Sequence, residues 1–241
     1  MINLKRLKIL TFFLKHPIIR TYKTVHIYQI PIIIIEKLEK YEIQKGREKI
    51  MEITGKTTLT GLIGSPVAHS ISPQMHNEAF RQLGLDYVYL AFDLAGSDLG
   101  TAVRGLRDIG AKGFNVTMPY KVHVLEYMDE LTPAAKIAQA CNTVIIKDGK
   151  LTGHTTDGIG FMSSVSDAGH DIIGKKMTVL GCGGAATAIC TQAALDGVSD
   201  IDIFQLKLPE EFDRALAFAD RVREHTSCNI HIYDFADTEQ M

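Results

Sequence analysis

A chain of 241 residues has room for one or two domains, and with 46% hydrophobic and 22% charged residues it has the composition of a packed core, not of a disordered tail. Its net charge of −2 gives no global attraction to nucleic acid or to an anionic membrane, and no apolar run approaches the roughly eighteen residues of a membrane span. The four cysteines, Cys141, Cys182, Cys190 and Cys228, form no CxxC pair and no metal-like spacing with histidine, so they read as reduced thiols of a cytoplasmic protein, with no metal site expected.

The charge is unevenly spread. Residues 1–50 hold 11 Lys/Arg against 4 Glu, with 12 Ile and no Ala, Ser or Asp; residues 51–241 hold 15 Lys/Arg against 24 acids. A targeting segment, a membrane-surface helix and a stretch that is no designed segment are the readings to weigh. Lys5-Arg6-Leu7-Lys8 is a basic start, but Ile9 to Leu14 is a short apolar core, no small-residue cleavage site follows, and Pro17 and Pro31 interrupt any long helix. The composition matches A/T-rich codons, and Lys45-Gly46-Arg47-Glu48 can be encoded by purine-only triplets like those of a bacterial ribosome-binding site. The preferred expectation is therefore that translation starts at Met51, with a genuine basic extension as the alternative.

From Leu59 the texture becomes that of a folded domain. Thr60 to Gly64 predicts a short buried strand, broken at Ser65-Pro66. Ser72 suits an N-cap and Pro73 the first turn of a helix through Leu83, ended by Gly84. Asp86 to Phe92 is a strand. Ser97 to Ile109 is a helix with Leu99, Val103, Leu106 and Ile109 on one face. Lys112 to Val116 is a strand that runs into a loop ending at Lys121. Tyr120 to Met128 reads as helical, and Thr132-Pro133 opens a short helix through Ala140. Asn142 to Ile146 and Leu151 to Thr155 are strands joined by a turn at Asp148-Gly149. A second module begins near Asp157: a helix over Gly160 to Ala168, a strand over Lys176 to Leu180, a helix over Thr187 to Leu195, a strand over Ile201 to Phe204, a helix over Phe212 to His225 and a strand over Asn229 to Tyr233. The alternation predicts an α/β fold in two modules; the resemblance described below implies that residues 56–156 are a substrate domain and 157–241 a partial Rossmann dinucleotide-binding domain.

Gly181-x-Gly183-x-x-Ala186 fits the dinucleotide fingerprint, in which the first glycine makes a tight turn, the second admits the pyrophosphate and a small third residue lets helix and strand pack. A merely structural glycine-rich turn is the alternative. No acid follows the next strand, where Gln205-Leu206-Lys207 stands. Lys207 is suited to a 2′-phosphate and weakly favours NADP, or it is a solvated loop lysine. Hydride transfer to a ketone needs a proton donor, and Lys121 and Asp157 are the candidates, each just past a strand end. An aspartate beside a lysine favours the charged form of both. His69, His123 and His154 are rivals without an evident partner in the sequence. Ser70 and Ser72, at a helix start, are placed to bind a carboxylate or simply to cap the helix.

Together Gly61-Leu-Ile-Gly-Ser-Pro, His69-Ser-Ile-Ser-Pro73, Phe114-Asn-Val-Thr-Met-Pro-Tyr-Lys121, Cys141-Asn-Thr143, Gly153-His-Thr-Thr-Asp-Gly158 and Gly181-Cys-Gly-Gly-Ala185 resemble the shikimate dehydrogenases, in particular the bacterial shikimate/quinate branch, over about residues 56–241. The resemblance implies reversible NADPH-dependent reduction of 3-dehydroshikimate to shikimate, a step of chorismate and aromatic amino acid biosynthesis. It implies that Ser70 and Ser72 bind the substrate carboxylate and that Thr117, Asn142 and Asp157 contact ring hydroxyls. Lys121, paired with Asp157, is then the acid/base, and Gly181, Cys182, Gly183, Gly184 and Ala185 cradle the pyrophosphate. The partner it implies is a small-molecule substrate, with a homodimer as the assembly considered. Three departures stand out. Thr155 occupies a position where the family often has Asn. Gln205-Leu206 replaces the usual Asn-Arg. Only three of about six strands of a full dinucleotide fold are readable, and a C-terminal segment with a substrate-binding Gln has no counterpart. The alternatives are therefore a quinate/shikimate enzyme using NAD and an inactive truncated remnant.

Overall fold

Thr58–Gly64 (β1) is the strand around which the first half of the protein is built; in this computed structural model, which describes residues 52–236, its last five residues are all buried. The expectations for residues 1–50 and for a start at Met51 lie outside the described residues. A strand buried on both faces belongs in the middle of a sheet. β1 indeed lies between Tyr87–Asp93 (β2) and Gly113–Val116 (β3), parallel to both. The crossovers are helical: Ser72–Leu83 (α1) joins β1 to β2, and Leu99–Asp108 (α2) joins β2 to β3. Alternation along β1 sends Leu62 to a cluster with Val67, Phe80 of α1, Leu85 and Tyr89. Ile63 faces the other way, to Leu99, Val103 and Leu106 of α2 with Phe114, Val116 and Val144. The sheet continues antiparallel through Thr143–Lys147 (β5) and Lys150–His154 (β6), whose turn at Asp148 and Gly149 has positive φ at both residues, and closes with Glu130–Leu131 (β4), in the order β2-β1-β3-β5-β6-β4.

Two local expectations fail. The stretch Tyr120 to Met128 forms only a short 3-10 helix, His123–Tyr127; it follows Pro119, contains β-branched Val122 and Val124, and has no side-chain cap at its start. Ser72 is not the N-cap of α1 but its first helical residue, Ile71 being the cap. The Ser70 hydroxyl accepts the Ser72 N–H at 3.2 Å, so the polar turn sits one step earlier than the pattern suggests. Pro133–Ala138 (α3) is shorter than expected, with Thr132 accepting the Ala135 N–H at 3.4 Å, and ends at left-handed Gln139.

The described chain forms two units, one running to Ala135 and adding Gln139–Thr155, the other made of Lys136–Ala138 and the residues from Thr156. The second unit contains Asp157–Asp167 (α4), Lys176–Leu180 (β7), Gly184–Asp196 (α5), Asp200–Gln205 (β8), Pro209–His225 (α6) and Asn229–Asp234 (β9). Its three strands are all parallel, ordered β7-β8-β9. One face of this sheet, with Met177, Val179, Ile201, Ile203, Ile230 and Ile232, packs on Cys190, Ala193 and Ala194 of α5 and on Phe218, Ala219 and Val222 of α6. Gly158 is where α4 meets α5: a Cβ there would run into the Ala188 carbonyl and the Gln192 side chain, so only glycine permits that approach.

Candidate active site

Parallel strands β1 and β3 end side by side, and the loops that leave them hold each other. Ligands of open α/β sheets bind at such carboxyl ends. The Thr117 N–H donates to the Ile63 carbonyl at 2.9 Å, and the Ser65 N–H donates to the Met118 carbonyl at 3.0 Å. The Ser65–Pro66 and Met118–Pro119 bonds are both cis. Gly64 has no Cβ because the Thr117 side chain fills that space. Asp93, at the end of β2, accepts the Ala95 N–H at 3.0 Å, and the nearby Ser65 hydroxyl, with the backbone N–H groups of Ala95 and Val67, holds its carboxyl below the usual range.

Backbone bonds fix the neighbouring candidates. The Cys141 N–H donates to the Lys121 carbonyl at 2.8 Å, the Val116 N–H to the Asn142 carbonyl at 2.8 Å, and the Asn142 N–H to the His154 carbonyl at 2.9 Å. Thr117, Lys121 and Asn142 therefore sit on one interlocked set of strand ends. Lys121 and Thr117 are half-buried and Asn142 is buried. His154 is buried too, which pushes its imidazole down to about 4, so it is neutral at pH 7 and a poor rival as general base. His69 and His123 are exposed.

Side chains connect this cluster to α1. Against the larger effect of burial, which raises it, the Ser72 hydroxyl acts to lower the pKa of the Tyr89 phenol. The Tyr89 hydroxyl donates to Asn115 Oδ1 at 2.7 Å. Asn115 Nδ2 donates to Thr143 Oγ1 at 3.0 Å and to the Asn142 carbonyl at 3.3 Å, and Thr143 Oγ1 donates to Asn142 Oδ1 at 3.0 Å. Asn77 clamps the Tyr89 backbone through two bonds of 2.8 Å, and His76 stacks on the Tyr89 ring with centroids 4.3 Å apart. Tyr89, Asn77 and His76 were not foreseen. An i to i+12 clamp and a cross-strand phenol leave no short-range pattern in a sequence. Asn115 did leave one, an asparagine inside a strand, where that residue is depleted.

The second unit contains the glycine-rich turn. Gly181 has φ +87, which glycine adopts freely, and its N–H donates to the Phe204 carbonyl at 2.8 Å. Gly183 is the N-cap of the 13-residue helix α5, which has no side-chain cap, and nothing lies within 4 Å of a Cβ built on Gly183 or Gly184. Uncapped N–H groups and open space at a helix start fit a dinucleotide pyrophosphate. The Cys182 thiol beside it is pushed up to about 11 by burial, so it is no nucleophile at neutral pH. Gln205 has a role the sequence did not suggest: its Oε1 accepts the Cys182 N–H at 2.8 Å, and its Nε2 donates to Glu211 Oε2 at 3.2 Å. Lys207 lies with its ammonium 5.8 Å from the Phe212 ring centroid. Asp157 is the first residue of α4 and is exposed.

Residues 62–144 match the shikimate dehydrogenase substrate binding domain family. A shikimate dehydrogenase (NADP(+)) of Listeria monocytogenes serotype 4b is 52% identical over 194 residues, 80% of this chain and 66% of the relative; the chain thus spans just under two thirds of that curated relative. The crystal structure of shikimate 5-dehydrogenase from Listeria monocytogenes in complex with shikimate and NAD superposes with a TM-score of 0.75 at 51% identity, covering 82% of this chain and 67% of that one. Quinate dehydrogenase from Corynebacterium glutamicum in complex with NAD gives 0.67 at 29% identity, covering 76% and 66%. Half of all positions shared across both the substrate-side motifs and the glycine loop is more than a common fold requires, and the chain belongs to the shikimate dehydrogenase family.

Proposed function

We propose that the protein catalyses the reversible NADPH-dependent reduction of 3-dehydroshikimate to shikimate, in the cytoplasm, as a step of chorismate and aromatic amino acid biosynthesis. The observation that carries this reading is the hydrogen-bonded set joining Tyr89 to Asn142, next to Thr117 and Lys121, in a chain 52% identical to a shikimate dehydrogenase. Ser70 and Ser72 would hold the carboxylate at the N-terminus of α1, where N–H groups and the helix dipole favour an anion. Thr117, Asn142 and Asp157 would take ring hydroxyls. Lys121 would donate its ammonium proton to the carbonyl oxygen as that oxygen becomes a hydroxyl, and take it back in the reverse direction. NADPH, when bound, supplies the hydride. The residues suited to hold it are Gly181 to Ala185 at the pyrophosphate and Lys207 at the 2′-phosphate. The four unpaired thiols support a reducing compartment.

A second reading, a shikimate/quinate enzyme using NAD, has its own observation. Glu211, held by Gln205, brings a carboxylate to the end of β8, where an acid suits a ribose 2′-hydroxyl and repels a 2′-phosphate. The test is the initial rate of nicotinamide reduction by the full chain with shikimate or quinate, each with NADP+ or NAD+. Shikimate with NADP+ as the fastest pair supports the first reading, and NAD+ as the better acceptor supports the second. No turnover with any pair contradicts both.

A further inference from the structure

The hydrogen bonds of the first unit tie Asn142, a residue proposed to touch the substrate, to Tyr89 through Thr143 and Asn115. Counting protons gives the chain a direction. Tyr89 has one hydroxyl proton, and it goes to Asn115 Oδ1 at 2.7 Å. That contact decides which way the Asn115 amide faces, so its Nδ2 is the atom that donates to Thr143 Oγ1 at 3.0 Å. Thr143 Oγ1, already accepting, places its single proton on Asn142 Oδ1 at 3.0 Å. The Asn142 amide is therefore oriented with its oxygen toward Thr143 and its Nδ2 donors on the opposite branch.

Tyr89 is also the most tightly fixed member. It is 3% exposed, its backbone N–H and carbonyl are both bonded to the Asn77 side chain at 2.8 Å, and its ring lies 16° from parallel with His76. Burial raises its pKa further above neutrality, so it remains a donor throughout the physiological range. Packing alone does not explain the hydroxyl, because phenylalanine would keep the ring stack and the backbone clamp. A hydroxyl at this depth is retained with its bonds satisfied or at a cost.

We propose that Tyr89 is a positioning residue for substrate recognition: acting through Asn115 and Thr143 it sets the amide orientation of Asn142. The identity of the ligand rests on the proposed function above.

The test uses the full chain with Tyr89→Phe, Asn142→Ala and the double variant, read by the side-chain amide NMR signals of Asn142 and by calorimetric titration with shikimate. Tyr89→Phe shifts the Asn142 amide signals and speeds their solvent exchange, raises the Kd for shikimate about tenfold, and adds nothing further in the Asn142→Ala background. Unmoved Asn142 signals, or an undiminished effect of Tyr89→Phe when Asn142 is already alanine, overturns the proposal. If Tyr89→Phe does not fold, Thr143→Val, which breaks the link with Tyr89 in place, is required to give the same amide shift, and an unchanged spectrum overturns the proposal equally. If the wild-type chain does not bind shikimate, the functional reading fails, while the Asn142 signals still decide the relay.

Discussion

Lys121 is held by its backbone carbonyl, which accepts the Cys141 N–H at 2.8 Å, while its side chain belongs to a loop that starts at the end of β3. As the proposed proton donor, with a fixed backbone and a replaceable ammonium, Lys121 makes a sharp prediction. Lys121→Met keeps the length and apolar stem but removes the proton, so kcat falls about 10²–10⁴-fold with little change in shikimate affinity. Steady-state kinetics and calorimetry on the same variant check it, and an equal loss in affinity would make Lys121 a binding residue. The sequence was informative about placement where a residue type sits in a fixed local frame. That Lys121, Thr117 and Asn142 lie at strand ends was legible in short motifs, and backbone bonds bring those ends together. The contacts of Tyr89 and Gln205 were not. Both act across strands or between a strand and a loop, and their partners Asn115 and Cys182 lie more than twenty positions away.

At the scale of elements, period and punctuation carried most of the reading. β1, β2, α2, β5 and β6 lie within two residues of their expected bounds because alternation, helical spacing and glycine stops all agree there. The stretch after Pro119 failed because an apolar run of Val122, Val124 and Leu125 is ambiguous by period alone, and only the fold shows that it has room for a single turn. α5 begins at Gly184, ahead of the expected Thr187, because the first turn of a helix tolerates glycine when its N–H groups face open space. The contact of α4 with α5 gives a second prediction. Gly158→Val drives a branched side chain into the Ala188 carbonyl and costs about 1–3 kcal/mol of stability. Urea denaturation measures it, and an unchanged midpoint would show that the helices can separate without cost.

For the whole molecule, the parallel βαβ layering was legible, since strands and helices alternate through both units. Burial was not, and burial controls the response to acid. His76 and His154 are each pushed down to about 4 by burial. Both are neutral in the folded chain at pH 5–6, where the unfolded chain binds their protons. Stability is therefore full above about pH 6.5, declines as the pH falls toward 4, and loses nothing more to these groups below that. For His76, stacked on Tyr89, the loss is on the order of 3 kcal/mol. Denaturation midpoints at pH 7.5, 6.0 and 4.5 check this, and His76→Gln flattens the profile. A midpoint that holds from pH 7.5 to 4.5 would contradict it.

The central claim is that the strand ends of the first unit, with the start of α1, form a site for a small hydroxylated carboxylate. Calorimetric titration of the full chain with shikimate tests it most directly, with Ser72→Ala and Asn142→Ala titrated alongside. Saturable one-to-one binding that each substitution weakens about tenfold or more is the expected result. Absence of binding to the folded wild-type chain, or binding that both substitutions leave unchanged, would contradict it.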